Sequence, residues 1–470
     1  MKGIVPQADR TLEESVEARR VDNAAAAERA GRLLGNQLPA RVIEDWCHAV
    51  GHGWRRRVWG PAVTLWACVM KHLQGSCGAR SMEDWLGSMK DGQAGRADGY
   101  DFCQARARLP ESVWWCGLRW LGQKAQDMAG MHAFGLRVFL VDGTTSQAAN
   151  TMANEKAFGR SRNQAGSSRL PIVRWVLVIC AGCGAVVDAA MGHYRESEQL
   201  FFAALVERLK AGCLIVGDRG FCSFMAFWVI VHRESHFLCR HHQWRKGHKV
   251  KRLGYKDDLM EWSRSGVRFV RCPGWLAWIP LVQEDLRVRV ITRQIRRKGY
   301  RTFTLRICTS LLDPRTAPAE ALIELYLKRW RIEESIRDLK TRFGIDRLRG
   351  KTPDIARKEI WSGLLAYTMV CSIRAEAVAF GSSAKEAWEL SIQRTRLLLL
   401  RYVERAVEAT PGRRRILFRN LRTMVADLRN QAQQRPPEPR YLIIPQSRFE
   451  VLPCSRKDWK DRYRSQIACA

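Results

Sequence analysis

The middle of the chain alternates short apolar runs with one helical pattern, and this order limits the folds it can adopt. LRVFLVD (136–142) and CLIVGD (213–218) are continuous apolar runs that each end in aspartate. RWVLVICAG (174–182) and GAVVDAAMG (184–192) predict the two arms of a hairpin, and residues 196–211 show the apolar spacing of a helix. Strand, hairpin, helix and strand together indicate a mixed α/β domain rather than a sandwich or a helix bundle.

The charge of the chain points to a polyanionic partner. Its 470 residues include 79 Lys or Arg and 47 Asp or Glu, which gives a formal charge of +32. Counterion release drives such proteins onto nucleic acid, and an anionic membrane surface is the rival partner. We rank the membrane lower, because no basic amphipathic helix with a lipid-facing aromatic edge stands out. Uncharged runs such as Trp175–Val187 are also too short to span a bilayer.

The fifteen cysteines form no disulfide framework, and their number is odd. Together with a charged N-terminus that lacks a signal peptide, this predicts reduced thiols and a cytoplasmic location. Cys180 and Cys183 form a CxxC motif between strand-like runs, so a hairpin turn is favoured over zinc or redox chemistry. Cys239, His241 and His242 are a second possible metal cluster. They lack another ligand pair at zinc spacing, so a zinc site is not favoured.

The flanking regions have a different character. Residues 1–130 are predicted to be mostly helical, with a buried helix at Ala62–Leu73. Their basic segment HGWRRRVWG (52–60) is either a solvated face or a DNA contact. Residues 240–315 carry short alternating runs and several tryptophans, which predicts a β-rich insertion. Helices are then predicted at 317–342, 354–378 and 385–408, followed by a basic tail.

The segment YLKRWRIEESIRDLK (326–340) places an acidic pair within a strongly basic helix. At about 100° per residue, Tyr326, Arg329, Glu333 and Lys340 fall within an arc of about 60°. Glu334 points outside that arc. Glu333 therefore shares a face with groups suited to phosphate binding.

Two interpretations of Glu333 remain at this point. In the first interpretation, Glu333 forms ordinary helix pairs with Arg329 and Arg337, each contributing a few tenths of a kcal/mol. Alternatively, it joins Asp142 and Asp218, which both end apolar strands where α/β sheets place ligands. Three clustered carboxylates need cations between them, and oxygen ligands suit Mg²⁺ or Mn²⁺. Two such ions can promote attack and departure at a phosphodiester.

At these positions the sequence resembles the bacterial DDE transposases of the insertion-sequence-four group. Tyr326-x2-Arg329-x3-Glu333-x6-Lys340 is similar to the Y-R-E-K signature of that family. VDGTT (141–145) resembles its first aspartate motif, and VGDRGF (216–221) its second. NEKAFG (154–159), CQARARLP (103–110) and DRLRGKTPDIARKEIWSGLLAY (346–367) add to the resemblance, which covers about residues 40–375.

The resemblance implies an α/β, RNase H-like catalytic core with a β-rich insertion, plus helical N-terminal and C-terminal regions. It implies that Asp142, Asp218 and Glu333 are catalytic and bind Mg²⁺ or Mn²⁺, and that Tyr326, Arg329 and Lys340 bind DNA. The implied partners are the terminal inverted repeats, target DNA and a second protomer, in the bacterial cytoplasm at the nucleoid.

The predicted organisation has five parts. They are a helical DNA-binding region (1–130), the first part of the core (131–239), the β-rich insertion (240–315), the second part of the core with the Glu333 helix (316–378), and a basic helical region for dimerisation (379–470).

Some members of the family pass through a DNA hairpin, with a flipped base held by a tryptophan of the insertion. TFTLRICTSLLD (302–313), just before the Glu333 helix, contains no tryptophan. Trp275 and Trp278 lie farther upstream and are expected to pack inside the insertion, which leaves the hairpin route open.

Two other functions fit the same residues. A structure-specific endonuclease on this core would cut DNA without strand transfer. A DNA-binding regulator would have lost catalysis, and the presence of all three carboxylates argues against it.

Overall fold

The computed structural model describes residues 37–54, 59–75, 78, 100–163, 166–243, 245, 247–263, 284–296, 302–406, 409–430 and 458. Its α-helices are α1 (Ala40–Ala49), α2 (Pro61–Leu73), α3 (Tyr100–Arg108), α4 (Glu111–Ala129), α5 (Met152–Phe158), α6 (Glu198–Arg208), α7 (Phe224–His232), α8 (Ala319–Leu327), α9 (Trp330–Thr341), α10 (Pro353–Ala379), α11 (Ile392–Ala406) and α12 (Pro411–Ala426). Its β-strands are β1 (His132–Ala133), β2 (Leu136–Gln147), β3 (Arg162–Asn163), β4 (Gly166–Ser167), β5 (Ile172–Cys180), β6 (Val186–His193), β7 (Cys213–Gly217), β8 (His236–Arg240), β9 (His248–Gly254), β10 (Asp257–Trp262), β11 (Leu286–Ile295) and β12 (Phe303–Thr309).

One large sheet organises the molecule. Its strand order is β6-β5-β2-β7-β8-β12-β11-β10-β9, with β1 paired to β2. β2, β7 and β8 are parallel neighbours, and β5 runs antiparallel to both β2 and β6. The part of the sheet with the order β6-β5-β2-β7-β8 thus has the RNase H-like arrangement that the family resemblance implied.

The predicted hairpin, helix and second apolar strand are confirmed as β5 with β6, α6 and β7. β5 and β7 are buried almost along their whole length. Strands covered on both faces are expected to have continuous apolar runs rather than alternation, which is the pattern the sequence carries here.

Strand β2 continues beyond the predicted end at Asp142. It stops pairing with β7 after Leu140 but keeps pairing with β5 as far as Gln147. Thr144 and Thr145 therefore lie inside the strand and do not cap its end. The neighbouring antiparallel arm supplies the hydrogen bonds that extend it.

The β-rich character of the predicted insertion is confirmed for its described part. β9 to β12 pair antiparallel with one another, and β12 pairs with β8 of the core. Residues 264–283, which include Trp275 and Trp278, lie outside the described residues. The domain boundaries remain a prediction.

Helices that precede and follow the core strands in sequence pack against the sheet and against one another. α10 is buried along most of its 27 residues and packs mainly against α4 and α2. It begins at Pro353, with the Thr352 hydroxyl accepting from the Ile355 amide, as expected for a capped helix start. α2 is buried throughout and agrees with the helix predicted at Ala62–Leu73.

All these elements belong to one compact unit. The described cysteines are free thiols. None of the described helices has the length and apolar character needed to cross a bilayer.

Candidate active site

Asp142 lies on β2, and Asp218 directly follows its parallel neighbour β7, at the same level of the sheet. The last paired residues of β2 and β7 are Leu140 and Val216. Two residues farther along, the same register brings Asp142 beside Asp218. Because ligands bind outside the carboxyl ends of strands in α/β sheets, both side chains lie at the edge that the sequence predicted.

Each aspartate is oriented by a hydrogen bond from nearby backbone. The Gly143 amide donates to Oδ1 of Asp142 at 2.8 Å. The Gly220 amide donates to Oδ1 of Asp218 at 2.7 Å, because Asp218 caps the short 3₁₀ helix Arg219–Phe221. The second oxygen of Asp142 lies 3.7 Å from Nη1 of Arg329.

The electrostatic environment of Asp142 is that of a shared acidic site. Its pKa is raised from 3.8 to about 6, mainly by burial and also by the negative charges of Asp218 and Glu333. The hydrogen bond from Gly143 and the positive charge of Arg329 act in the opposite direction. The pKa of Asp142 therefore responds to both other carboxylates of the predicted triad.

The helix predicted at 317–342 is interrupted. α8 ends at Leu327 and α9 begins at Trp330, with Lys328 and Arg329 in a turn between them. The turn is tighter than an α-helix, because the Lys328 and Arg329 amides donate to carbonyls three residues earlier, but both residues keep helical dihedral angles. The grouping of side chains survives, because Tyr326 and Arg329 meet at the turn: the guanidinium carbon is 5.9 Å from the ring centroid.

Arg329 connects the first and third carboxylates. Its Nη2 donates to Oε1 of Glu333 at 2.7 Å, and its Nη1 is 3.7 Å from Oδ2 of Asp142. The guanidinium is largely buried, and its Nε has no hydrogen-bond partner among the described residues. The helix pair between Arg329 and Glu333 is thus part of a bridge that extends to the sheet.

The other predicted site residues differ in exposure. Tyr326 is buried, and this burial raises the pKa of its hydroxyl well above the usual value. Lys340 is partly buried, and its Nζ is 3.7 Å from Oδ1 of Asp346. Glu334 is exposed, whereas Glu333 is partly buried.

Sequence reasoning missed two residues in the first turn of α6. The Glu198 carboxylate lies against Gly143: a Cβ added to that glycine would be 2.5 Å from Cδ of Glu198. Burial raises the pKa of Glu198, Arg174 opposes this, and the charge of Asp218 adds to the rise. Gln199 contacts the loop after Asp218. In the sequence, Ser197 and Glu198 indicate only the start of a helix, so nothing pointed to a role for Glu198 or Gln199 in the site.

The donor chemistry of the site suits a hard cation. Asp142, Asp218 and Glu333 offer only carboxylate oxygens, which Mg²⁺ and Mn²⁺ prefer. Across the described ranges, no three Asp, Glu, His or Cys side chains stand ready to hold a metal ion. Arg329 already provides a positive charge between Asp142 and Glu333, so its guanidinium occupies the bridging role in this conformation.

Comparison with known proteins agrees with this geometry. Residues 133–369 match the family described as the transposase DDE domain, which uses divalent metal ions. The chain is 25% identical over 299 residues to the transposase InsG for insertion sequence element IS4 of Escherichia coli (strain K12). That match covers 62% of this chain and 64% of the relative, so the chain spans less than two thirds of the relative's length.

Among solved structures, the piggyBac transposase synaptic complex with hairpin DNA aligns over 85% of both chains, at 9% identity and a TM-score of 0.40. The match to the family covers half of the chain and includes both aspartates and Glu333. The chain therefore belongs to the transposase DDE domain family of nucleotidyl-transfer enzymes.

Proposed function

We propose that this protein is a DNA transposase that cuts at the terminal inverted repeats of its insertion sequence and joins the freed 3′-OH ends to target DNA. The observation that carries the proposal is the linked set of carboxylates. Asp142 lies beside Asp218 by strand register and is tied to Glu333 through Arg329. The relative InsG, named for an insertion sequence element, supports the choice of DNA substrate.

Asp142, Asp218 and Glu333 are the proposed catalytic residues and would hold Mg²⁺ or Mn²⁺. When bound, a pair of such ions supplies activation of the attacking hydroxyl and stabilisation of the leaving oxygen. The chain itself contributes the orientation of the carboxylates. Gly143 and Gly220 each hold one oxygen of an aspartate, and the second oxygens would bind the ions, with Arg329 giving up its contact to Oδ2 of Asp142.

Arg329, Lys340 and Tyr326 are the proposed DNA contacts. Within the part of the chain that the structure describes, the buried Nε of Arg329 has no acceptor, and a phosphate oxygen would satisfy it. Tyr326 is too buried to stack on a base, so we assign its hydroxyl to phosphate contact or to holding Arg329. Arg219 is exposed and forms no ion pair with the described residues, which favours phosphate binding as well.

The protein would act as a homodimer on paired transposon ends, at the bacterial nucleoid. We assign recognition of the terminal repeat to residues 1–130, and pairing of protomers to residues 379–470. The net charge of +32 supports extended contact with DNA.

The test is incubation of the purified protein with linear DNA that carries the ends of its element. Joined products are expected in Mg²⁺ or Mn²⁺, and Asp142→Ala should abolish them while DNA affinity is retained. Glu334→Ala is the matched control, because it removes a carboxylate that faces solvent. Products that are cut but never joined would indicate a structure-specific nuclease. Binding without any cleavage by the unaltered protein would indicate a regulator.

A further inference from the structure

The position of the Asp218 carboxylate depends on the peptide of Gly220. Asp218 leaves the sheet at the end of β7, and the chain turns at once into the 3₁₀ helix Arg219–Phe221. The Gly220 amide donates to Oδ1 of Asp218 at 2.7 Å. Any movement of the Gly220 peptide therefore changes the direction of this carboxylate.

Gln199 forms two hydrogen bonds with this loop. Its Nε2 donates to the carbonyl oxygen of Gly220 at 2.6 Å. Its Oε1 accepts from the Ser223 hydroxyl at 3.2 Å. Since the two groups of one amide satisfy one acceptor and one donor, the side chain spans the turn from Gly220 to Ser223.

The helix that carries Gln199 is a firm support. α6 is capped by the Ser197 hydroxyl, which accepts from the Leu200 amide, and it buries Phe201 and Phe202 against the core. The Phe202 ring also meets Phe221 of the loop edge to face, with centroids 5.0 Å apart. The loop is therefore tied to α6 by an apolar contact and by the polar contact of Gln199.

The same turn of α6 also touches the other aspartate-bearing segment. The Glu198 carboxylate lies against Gly143, the residue that orients Asp142. One helical turn thus contacts the backbone that follows each aspartate.

We propose that Gln199 is a positioning residue for the Asp218 carboxylate, acting through the Gly220 peptide. This inference rests on the proposed function, because the carboxylate matters only if it binds a metal ion. Residues that orient metal ligands typically change metal affinity by about 10–100-fold when removed. Gln199 is expected to act on that scale without being a ligand itself.

The experiment measures Mn²⁺ affinity of the full chain without DNA, by electron paramagnetic resonance. Gln199→Ala should weaken Mn²⁺ binding by about 10-fold or more. In the metal-free protein it should also speed amide hydrogen exchange in residues 216–224 while leaving the melting temperature unchanged. Gln123→Ala is the matched control, because Gln123 makes a similar exposed contact, with Asp127 on α4.

The outcomes separate this inference from the proposed function. If Asp218→Asn removes Mn²⁺ binding but Gln199→Ala binds as tightly as the unaltered protein, the positioning role is wrong and the metal site stands. If the unaltered protein binds no Mn²⁺, or if Asp218→Asn has no effect, both ideas fail. Gln199→Glu replaces the Gly220 contact with repulsion and should also weaken binding. Tighter binding would mean that residue 199 reaches the ion, which overturns positioning.

Discussion

Replacing Glu359 with glutamine tests how the N-terminal helices are joined to the core. The buried Glu359 carboxylate of α10 pairs with Lys71 of α2 at 3.1 Å and Arg106 of α3 at 3.3 Å. It also accepts from the amides of Arg349 at 2.7 Å and Gly350 at 3.1 Å. Glutamine keeps the shape but leaves two largely buried cations without their counter-ion. Breaking a buried pair in this way costs about 3–5 kcal/mol.

The pH dependence gives a second, independent magnitude. Burial alone raises the pKa of Glu359, but the charges of Lys71 and Arg106 outweigh it and lower the pKa from 4.5 to about 2. A lowered pKa stabilises the folded state above pH 4.5, and this stabilisation is lost as the pH falls toward 2. The difference between the two values corresponds to about 3 kcal/mol at pH 7. About half of that remains at pH 3.

The assay is urea unfolding of the unaltered protein and Glu359→Gln at pH 7, 5, 4 and 3, with Glu334→Gln as the solvent-facing control. The free energy of unfolding should differ by about 3 kcal/mol or more at pH 7. That difference should shrink steadily below pH 4.5. A difference under about 1 kcal/mol at pH 7, which is typical of exposed pairs, or one that does not change with pH, would refute the reasoning.

Three further predictions concern the site. Glu333→Ala should lower DNA cleavage by about 10²–10³-fold or more, the scale of a directly stabilising group, whereas Glu334→Ala should change it little; equal losses in a cleavage assay would contradict the assignment. Lys340→Ala should make the slope of log affinity against log salt shallower by about 0.9, and an unchanged slope in fluorescence anisotropy would exclude that phosphate contact. Gly143→Ala places a Cβ 2.5 Å from Cδ of Glu198, so urea unfolding should show a loss of about 1–3 kcal/mol that Glu198→Ala relieves.

The strands of the core were predictable because buried strands consist almost entirely of apolar residues. β5 and β7 are covered on both faces and consist of apolar runs with clear ends. The level at which Asp142 and Asp218 meet was not predictable, because the register between β2 and β7 depends on the intervening hairpin and helix. Strand ends predicted only that both lie at one edge.

The interruption at Lys328 and Arg329 was missed because no proline or glycine marks it. Lys328 donates to Glu386 at 2.9 Å, and Arg329 bridges Glu333 and Asp142. Apart from Glu333, these partners are distant in sequence, so they leave no local signal. Local propensity alone therefore favours a continuous helix. Lys328 and Arg329 thus bind different partners, which lie on different elements.

The same reasoning explains why Gln199 escaped notice. Its partners, Gly220 and Ser223, lie more than twenty residues away, across α6 and β7. A polar residue in the first turn of a helix is ordinary in sequence. Its importance depends on the loop that the fold brings beside it.

The third carboxylate is held relative to the sheet at both ends of its helix. Near the start of α9, Arg329 ties Glu333 to Asp142 of β2. After the end of α9, the Gln147 amide of β2 donates to the Asp346 carbonyl at 2.8 Å, and the Leu348 amide donates to the Gln147 carbonyl at 2.7 Å. β2 therefore carries the first aspartate and fixes the helix of the glutamate twice. Because Glu359 holds the next two amides of that segment, its buried charge stabilises the site as well as the fold.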